Sequence, residues 1–252
     1  MRLGIITMQR VLVPLLLAVS FSAWAKGPSP DSLDFKACPQ LFAGGLPPQV
    51  VKAERPRALC YDAFAVLHSG ASKTPIFVAQ RINRASLTSA KDEKRTDRFF
   101  ADARLPHAER AQLVDYKASG FDRGHMAPAA DMPTAQAMAQ SFSLANMVPQ
   151  APVNNRKSWA GIEQATRKYA MRAAGDVYVI SGPVFDARPV TIGPGKVWVP
   201  THLFKLVYDP GSGRSWAHWI ENTDEARAGK PISYQELVRR TGIEFLPHLG
   251  EK

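Results

Sequence analysis

The 252-residue sequence predicts an α+β domain, with a mixed, mainly antiparallel central sheet flanked by helices. Two groups of strand-like apolar runs, at residues 60–82 and 176–222, carry the sheet. Helical stretches lie between and after them, and a turn of four residues joins the first two runs. The length remaining after a leader of 25 residues suits one large domain rather than two.

Taken in order, "KGPSPDS" from Lys26 reads as a flexible arm, and "CPQLFAGGLPPQV" from Cys38 as a turn-rich segment tied down by its cysteine. The arm is assigned to residues 26–60 and the main domain to 61–252. "CYDAFAVLHS" and "TPIFVAQRI" are predicted strands joined by "GASK". A polar loop, "KRTDRFFADARLP", precedes a short predicted helix, "AERAQLVDY". "PTAQAMAQSF" reads as a helix and "SLANMVPQ" as a short buried strand with a bend. The longest predicted helix is "NNRKSWAGIEQATRKYAMRAAG", with Gly175 at its end. "DVYVISGPVF", "KVWVPTHLFKLVYD" and "SWAHWIEN" are predicted strands. "SYQELVRRTG" is a C-terminal helix, with a capping box between Ser233 and Glu236 and Gly242 as its stop.

Residues 1–25 combine Arg2 and Arg10, no acid, the apolar run Val11–Ser22 and a small-x-small site at Ala23–Ala25. This is the pattern of a cleaved signal peptide, and the run is too short to span a bilayer at about 20 residues. The expectation is export, to the periplasm or outside the cell, with Lys26 as the first mature residue. Cys38 and Cys60 are the only cysteines. In an oxidising compartment they should close one disulfide, worth roughly 3 kcal/mol for a loop of this size. Two cysteines are too few for a thiolate metal site, and neither has the setting of a reactive thiol. The chain has 32 Lys and Arg against 22 Asp and Glu, so loss of the leader leaves a net charge of +8. That favours polyanionic partners: nucleic acid, anionic lipid or acidic glycan.

Two segments carry candidate chemistry. Asp122, Arg123, Gly124 and His125 are consecutive and are followed by Ala-Pro, which places an imidazole at a strand end. Along the longest helix Asn155, Trp159, Glu163 and Arg167 recur every four residues and share a drifting stripe. One amide oxygen and one carboxylate suit a hydrated Mg²⁺ better than calcium or zinc. The same residues also admit structural roles. His125 fits a buried histidine bonded to a backbone carbonyl, Asn154 and Asn155 fit helix caps, and Glu163 with Arg167 fits an i,i+4 pair. Trp159 reads as core-facing, with Ile162, Thr166 and Tyr169.

Two stretches, "DYKASGFDRGHMAPAADM" and "SFSLANMVPQAPVNNRKSWAGIEQATRKYA", together resemble the DNA/RNA non-specific endonucleases, sugar-non-specific nucleases with a ββα-metal core. The resemblance runs from about Cys60 to Phe245 and rests on the ordered set of boxes. It implies that His125 is the general base, its other ring nitrogen held by a backbone carbonyl, with activity rising through a pKa of about 6.5 if unperturbed. It implies that Asn155 is the direct ligand of Mg²⁺, replaceable by Mn²⁺, and that Glu163 holds metal-bound waters. Arg95, Arg123 and Arg167 would contact phosphate oxygens, with Arg98 competing with Arg95 for its place. Asp122 would orient Arg123, and Asn146 would organise the site through hydrogen bonds. The implied activity is non-specific hydrolysis of DNA and RNA, leaving 5′-phosphate ends. An inactive nucleic-acid-binding or uptake protein, and a phosphodiesterase for small or lipid phosphodiesters, are the alternatives from other classes.

Overall fold

The computed structural model describes Met1 and residues 34–247. Apart from Met1, the expected leader and residues 26–33 lie outside the described residues. The elements run β1 (Gln49–Val50), β2 (Pro56–Cys60), β3 (Phe64–Ser69), β4 (Thr74–Ile82), α1 (Arg84–Ser89), α2 (Leu113–Tyr116) and β5 (Asp122–His125). They continue with α3 (Ala135–Ser141), β6 (Met147–Gln150), a π-turn at Asn154–Trp159, α4 (Ala160–Ala170) and β7 (Val177–Val184). The chain closes with β8 (Thr191–Ile192), β9 (Val197–Trp198), β10 (His202–Asp209), β11 (Arg214–Glu221), α5 (Tyr234–Thr241) and β12 (Ile243–Glu244).

Six strands form the main sheet in the order β11-β10-β7-β4-β3-β2. Every neighbouring pair in it is antiparallel, so the expected mixed sheet is antiparallel throughout. Both faces are covered, which is why these strands read as continuous apolar runs rather than alternating ones. Phe64, Val66, Val78 and Leu203 pack on the face beneath α3, β5 and the π-turn, with Met126, Phe142 and Trp159. Ala65, Leu67, Phe77 and Phe204 pack on the opposite face with Phe35, Phe42, Leu237 and Phe245. β5 and β6 pair as a separate two-stranded ribbon over the first face, with His125 opposite Met147 and Asp122 opposite Gln150.

Several expectations change in physical detail. The chain joins the main core from residue 35 rather than residue 61: Phe35 and Phe42 pack against Phe77, tilted and edge-on, and β1 pairs with β12. β2 is an edge strand of the main sheet, paired along its length with β3. The Cys38–Cys60 disulfide ties the preceding turns to that edge. The strand predicted from Lys196 to Asp209 divides at Pro200, which has no N–H to give a ladder. The helix predicted from Ala108 to Tyr116 is broken by extended backbone at Arg110. There the guanidinium donates to the carbonyls of Asp102 and Leu105. The longest helix stops at Ala170, five residues short of Gly175, and Arg84 donates to the carbonyl of Met171 just beyond it. In α5 Ser233 caps the N–H of Glu236 and Gly242 supplies the left-handed stop. The carboxylate of Glu236 does not complete the box but pairs with Arg239 and Arg240.

Candidate active site

His125 ends β5 with its side chain buried. Strand alternation sends Arg123 to the same side as His125, and Asp122 and Gly124 to the other. The guanidinium of Arg123 accordingly stacks 4.0 Å from the Phe99 ring centroid. The imidazole lies among aromatic edges, 5.9 Å from Phe99 and 5.1 Å from Phe142 between ring centroids. Arg95 covers the other part of this wall, 5.0 Å from the Phe142 centroid, and forms an ion pair with Asp97. Arg98 is exposed and makes no such contact, so the structure puts Arg95 at the histidine.

The expected carbonyl partner of the ring is absent among the described residues. Nε2 is buried with no hydrogen-bond partner, which leaves Nδ1 as the nitrogen facing the site. Burial, reinforced by the charges of Arg95 and Arg123, pushes the imidazole pKa down to about 3. The ring is therefore a neutral proton acceptor at any ordinary pH, not one that titrates near 6.5.

The backbone that follows is clamped from several sides. The indole N–H of Trp159 donates to the carbonyl of His125 at 3.1 Å, and Nζ of Lys205 donates to the carbonyl of Met126 at 3.3 Å. The buried Asn146 accepts from the N–H of Ala127 and donates to its carbonyl, both at 2.9 Å. Trp159 is buried in the core and also fixes the histidine's backbone, while Asn146 ties down the loop at Ala127. Gly124 is required by a neighbour rather than by a substrate: a Cβ there would sit 2.0 Å from Oε1 of Gln150 and 2.7 Å from its Cβ. Gln150 in turn donates to Asn154 at 2.8 Å, and Asn154 donates to the carbonyl of Glu221 at 2.7 Å.

Those bonds seat the π-turn that carries Asn155. Its side-chain N–H donates to Oδ2 of Asp122 at 2.9 Å, and Arg156 clasps the same carboxylate at 2.9 and 2.7 Å. Asp122 therefore orients Asn155 and Arg156, not Arg123. A carboxylate only accepts hydrogen bonds, so the amide must present nitrogen to it and keep Oδ1 free. Neither Asn154 nor Asn155 serves as a side-chain helix cap.

Glu163, half-buried on α4, makes no hydrogen bond or ion pair among the described residues. Its expected pairing with Arg167 is not formed. Arg167 reaches Asp131 at 3.0 Å instead, and Asp131 also accepts from Gln80 of β4 at 2.8 Å. Burial holds the carboxyl of Glu163 above the usual carboxylate range, opposed by Lys205, Arg167 and Arg95 and reinforced by Asp131. Lys205 is itself buried in the sheet, with Nζ 2.6 Å from Oγ of Ser181 and 4.8 Å from the Trp159 centroid. Burial lowers its pKa, and Glu163 and Asp131 oppose that shift. Arg95 acts electrostatically on both His125 and Glu163, and β5 is bonded through Asp122 to Asn155.

The donor set fits a hydrated hard cation. Asn155 Oδ1 and the carboxylate of Glu163 are oxygen donors that protein partners leave open, and Mg²⁺ needs few protein ligands. Among the described residues no cluster of three His, Cys, Asp or Glu is placed to cage a metal.

Residues 47–251 match the DNA/RNA non-specific endonuclease family. The chain belongs to this family. Within the family, the match to human mitochondrial nuclease EXOG is 34% identical over 217 residues, covering 76% of this chain and 57% of EXOG. Nuclease 1 of Schizosaccharomyces pombe is 36% identical over 201 residues, covering 71% of this chain and 62% of that protein. A nuclease of Nostoc is 34% identical over 207 residues, covering 75% of this chain and 73% of that one. The chain thus spans about 57–62% of the length of the first two relatives. The crystal structure of EndoG with EndoGI shares the fold at a TM-score of 0.67 and 22% identity, covering 78% of this chain and 87% of that one.

Asp131, Arg156, Gln150 and Lys205 belong to the site's hydrogen-bond and charge network without standing out in the sequence. Asp131 lies in "APAADM" and Gln150 in "NMVPQ". Arg156 follows Asn155 directly, and only the strand pairing shows that it reaches Asp122. Lys205, inside the apolar run "HLFKLVYD", had a signal: a lone lysine in a buried strand needs an internal partner.

Proposed function

We propose that this protein is an exported, Mg²⁺-dependent endonuclease that hydrolyses phosphodiester bonds in DNA and RNA without sequence specificity, leaving 5′-phosphate ends. The observation that carries the reading is a buried imidazole, His125, at the end of β5, the strand whose Asp122 binds the amide of Asn155 and leaves its Oδ1 free. Nδ1 of His125 takes a proton from the water that attacks phosphorus, while Nε2 keeps its proton inward. Burial, reinforced by the charges of Arg95 and Arg123, keeps the resting imidazole neutral and free to accept that proton, and the two guanidinium groups supply positive charge for the oxygens that gain negative charge. Arg167, fixed by Asp131, supplies positive charge beside Glu163. Mg²⁺ or Mn²⁺, held by Asn155 and through water by Glu163, would offset charge on the leaving 3′ oxygen. Cys38 and Cys60, bridged in the structure, and the leader-like residues 1–25 support export to the periplasm or beyond.

Plasmid, single-stranded DNA and RNA incubated with the mature protein should each be degraded in millimolar Mg²⁺ and left intact in EDTA. The fold should survive the chelator, because a hydrated ion adds little to stability. Undiminished cleavage in EDTA would overturn the mechanism, and no cleavage of any substrate in Mg²⁺ would overturn the activity.

A further inference from the structure

A cleft of about 640 Å³ opens beside the reactive cluster, between α1 and the outer face of α4. Its cationic groups are Lys91, Arg95, Arg167, Lys168 and Arg172, against the single carboxylate of Glu93. Arg95 and Arg167 are held by Asp97 and Asp131. Lys91, Lys168 and Arg172 are exposed and form no ion pair among the described residues. The apolar lining includes Leu87, Met138 and Met171. Solvated cations on a surface are ordinary. Here three without partners surround one apolar hollow that shares Arg95 and Arg167 with the cluster around Glu163.

That combination matches the chemistry of a nucleic-acid strand, whose phosphates need cations and whose unstacked bases need an apolar surface. The cleft also has a direction. It follows α4 toward its C-terminal end, whereas Asn155, Asp122 and Arg156 lie at the opposite end of that helix. Arg167 and Lys168 lie in the last turn of α4, and Arg172 lies two residues beyond its end at Ala170, so these three cations line a path for a few phosphates.

We propose that this cleft is a subsite for a single strand, holding two or three nucleotides on one side of the scissile phosphate. The proposal rests on the nuclease reading and adds to it where the substrate's flanking strand lies. Lys168 and Arg172 are its phosphate contacts and take no part in the chemistry.

The test uses oligonucleotides with one cleavable phosphodiester among phosphorothioate linkages, extended stepwise on the 5′ side in one series and on the 3′ side in the other. For the wild type, kcat/KM should climb in one series by about tenfold and level off after two or three added nucleotides, as expected for two phosphate contacts. The double variant K168A/R172A should lose that climb through KM with kcat unchanged. It should equal the wild type on the shortest substrate and throughout the other series. Its binding should depend less steeply on salt, by about 1.4 in the log–log slope for two lost single-strand contacts. An equal loss in both series, or no loss in either, overturns the subsite. If the wild type cleaves nothing, the nuclease reading has failed instead. Fluorescence anisotropy with the same oligonucleotides then still decides the subsite, which requires weaker binding by the double variant in one series alone.

Discussion

His68 and His125 are both buried histidines with pKa values pushed down by burial, to about 4 and about 3. Their surroundings differ. His68, on β3, has Nε2 bonded to the carbonyl of Glu109 at 2.8 Å, beside an ion pair between Arg57 and Glu109. His125 has no bond to its ring, two guanidinium groups acting on it, and a carbonyl fixed by Trp159. The buried histidine bonded to a backbone carbonyl, expected as the structural alternative at His125, is found at His68. Burial and a lowered pKa therefore do not separate a structural imidazole from a reactive one. The ring's partners and the sign of the neighbouring charge do.

The sharpest way to break this comparison is to remove each ring in turn. His125→Ala should lower the cleavage rate by about 10² to 10⁴, the usual contribution of a positioned proton acceptor, with the melting temperature near wild type. His68→Ala should keep activity per folded molecule but lose about 1–3 kcal/mol of stability from a broken buried hydrogen bond. Thermal melts together with single-turnover rates distinguish the two patterns. A folded His125→Ala protein that cuts within a few-fold of wild type would end the assignment.

The next effect concerns what lies beside His125 and has no counterpart at His68. Asp122→Ala frees the Asn155 amide to rotate and should raise the Mg²⁺ concentration for half-maximal activity by about 10- to 100-fold, as for other groups that orient a metal ligand. Asn155→Ala should raise it at least as far and slow turnover as well. Titration of activity with Mg²⁺ reads both, and an unchanged midpoint in Asp122→Ala would show that Asn155 needs no orientation.

The smallest expected effect is a flat response to acid. With a folded pKa of about 3, His125 stays a base from pH 8 to pH 5, so kcat/KM should show no acid limb at 6.5 from this residue. Stability should respond instead. Both histidines have folded pKa values below the unfolded value of about 6.5, so the unfolded chain binds more protons between about pH 6.5 and pH 4. Their contribution is complete above pH 6.5 and falls as the pH drops through that window. Denaturant melts at pH 7 and pH 5 should show the loss in wild type and a smaller one in His68→Gln, which does not titrate. An acid limb at 6.5 in the rate of fully folded protein would show that the imidazole is not buried in the working enzyme.

Local patterns announced what local forces build. The hairpin of β3 and β4, the Ser233 cap, the Gly242 stop and the core position of Trp159 follow from periodicity and turn chemistry within a few residues. β2 was hidden because "PRALC" is a short edge strand beginning with proline, and its pairing with β3 is what makes it a strand. Arg84's bond to the carbonyl of Met171, just past the end of α4, joins residues 87 apart in sequence and leaves no local trace.

The sequence by itself determined which groups are available for chemistry: an imidazole at a strand end, an amide and a carboxylate eight residues apart on one helix, and several arginines. Residue type and short-range spacing are enough for that, because strand and helix periods are properties of the backbone. Only the tertiary structure decided their partners. It gave Asp122 to Asn155 and Arg156 instead of Arg123, and Arg167 to Asp131 instead of Glu163. It also set Lys205 beneath the loop that follows His125. A charged side chain is placed by whichever opposite charge or open lone pair the packed chain brings within about 3 Å. That distance is settled by sheet register and layer packing across tens of residues, not by order along the chain.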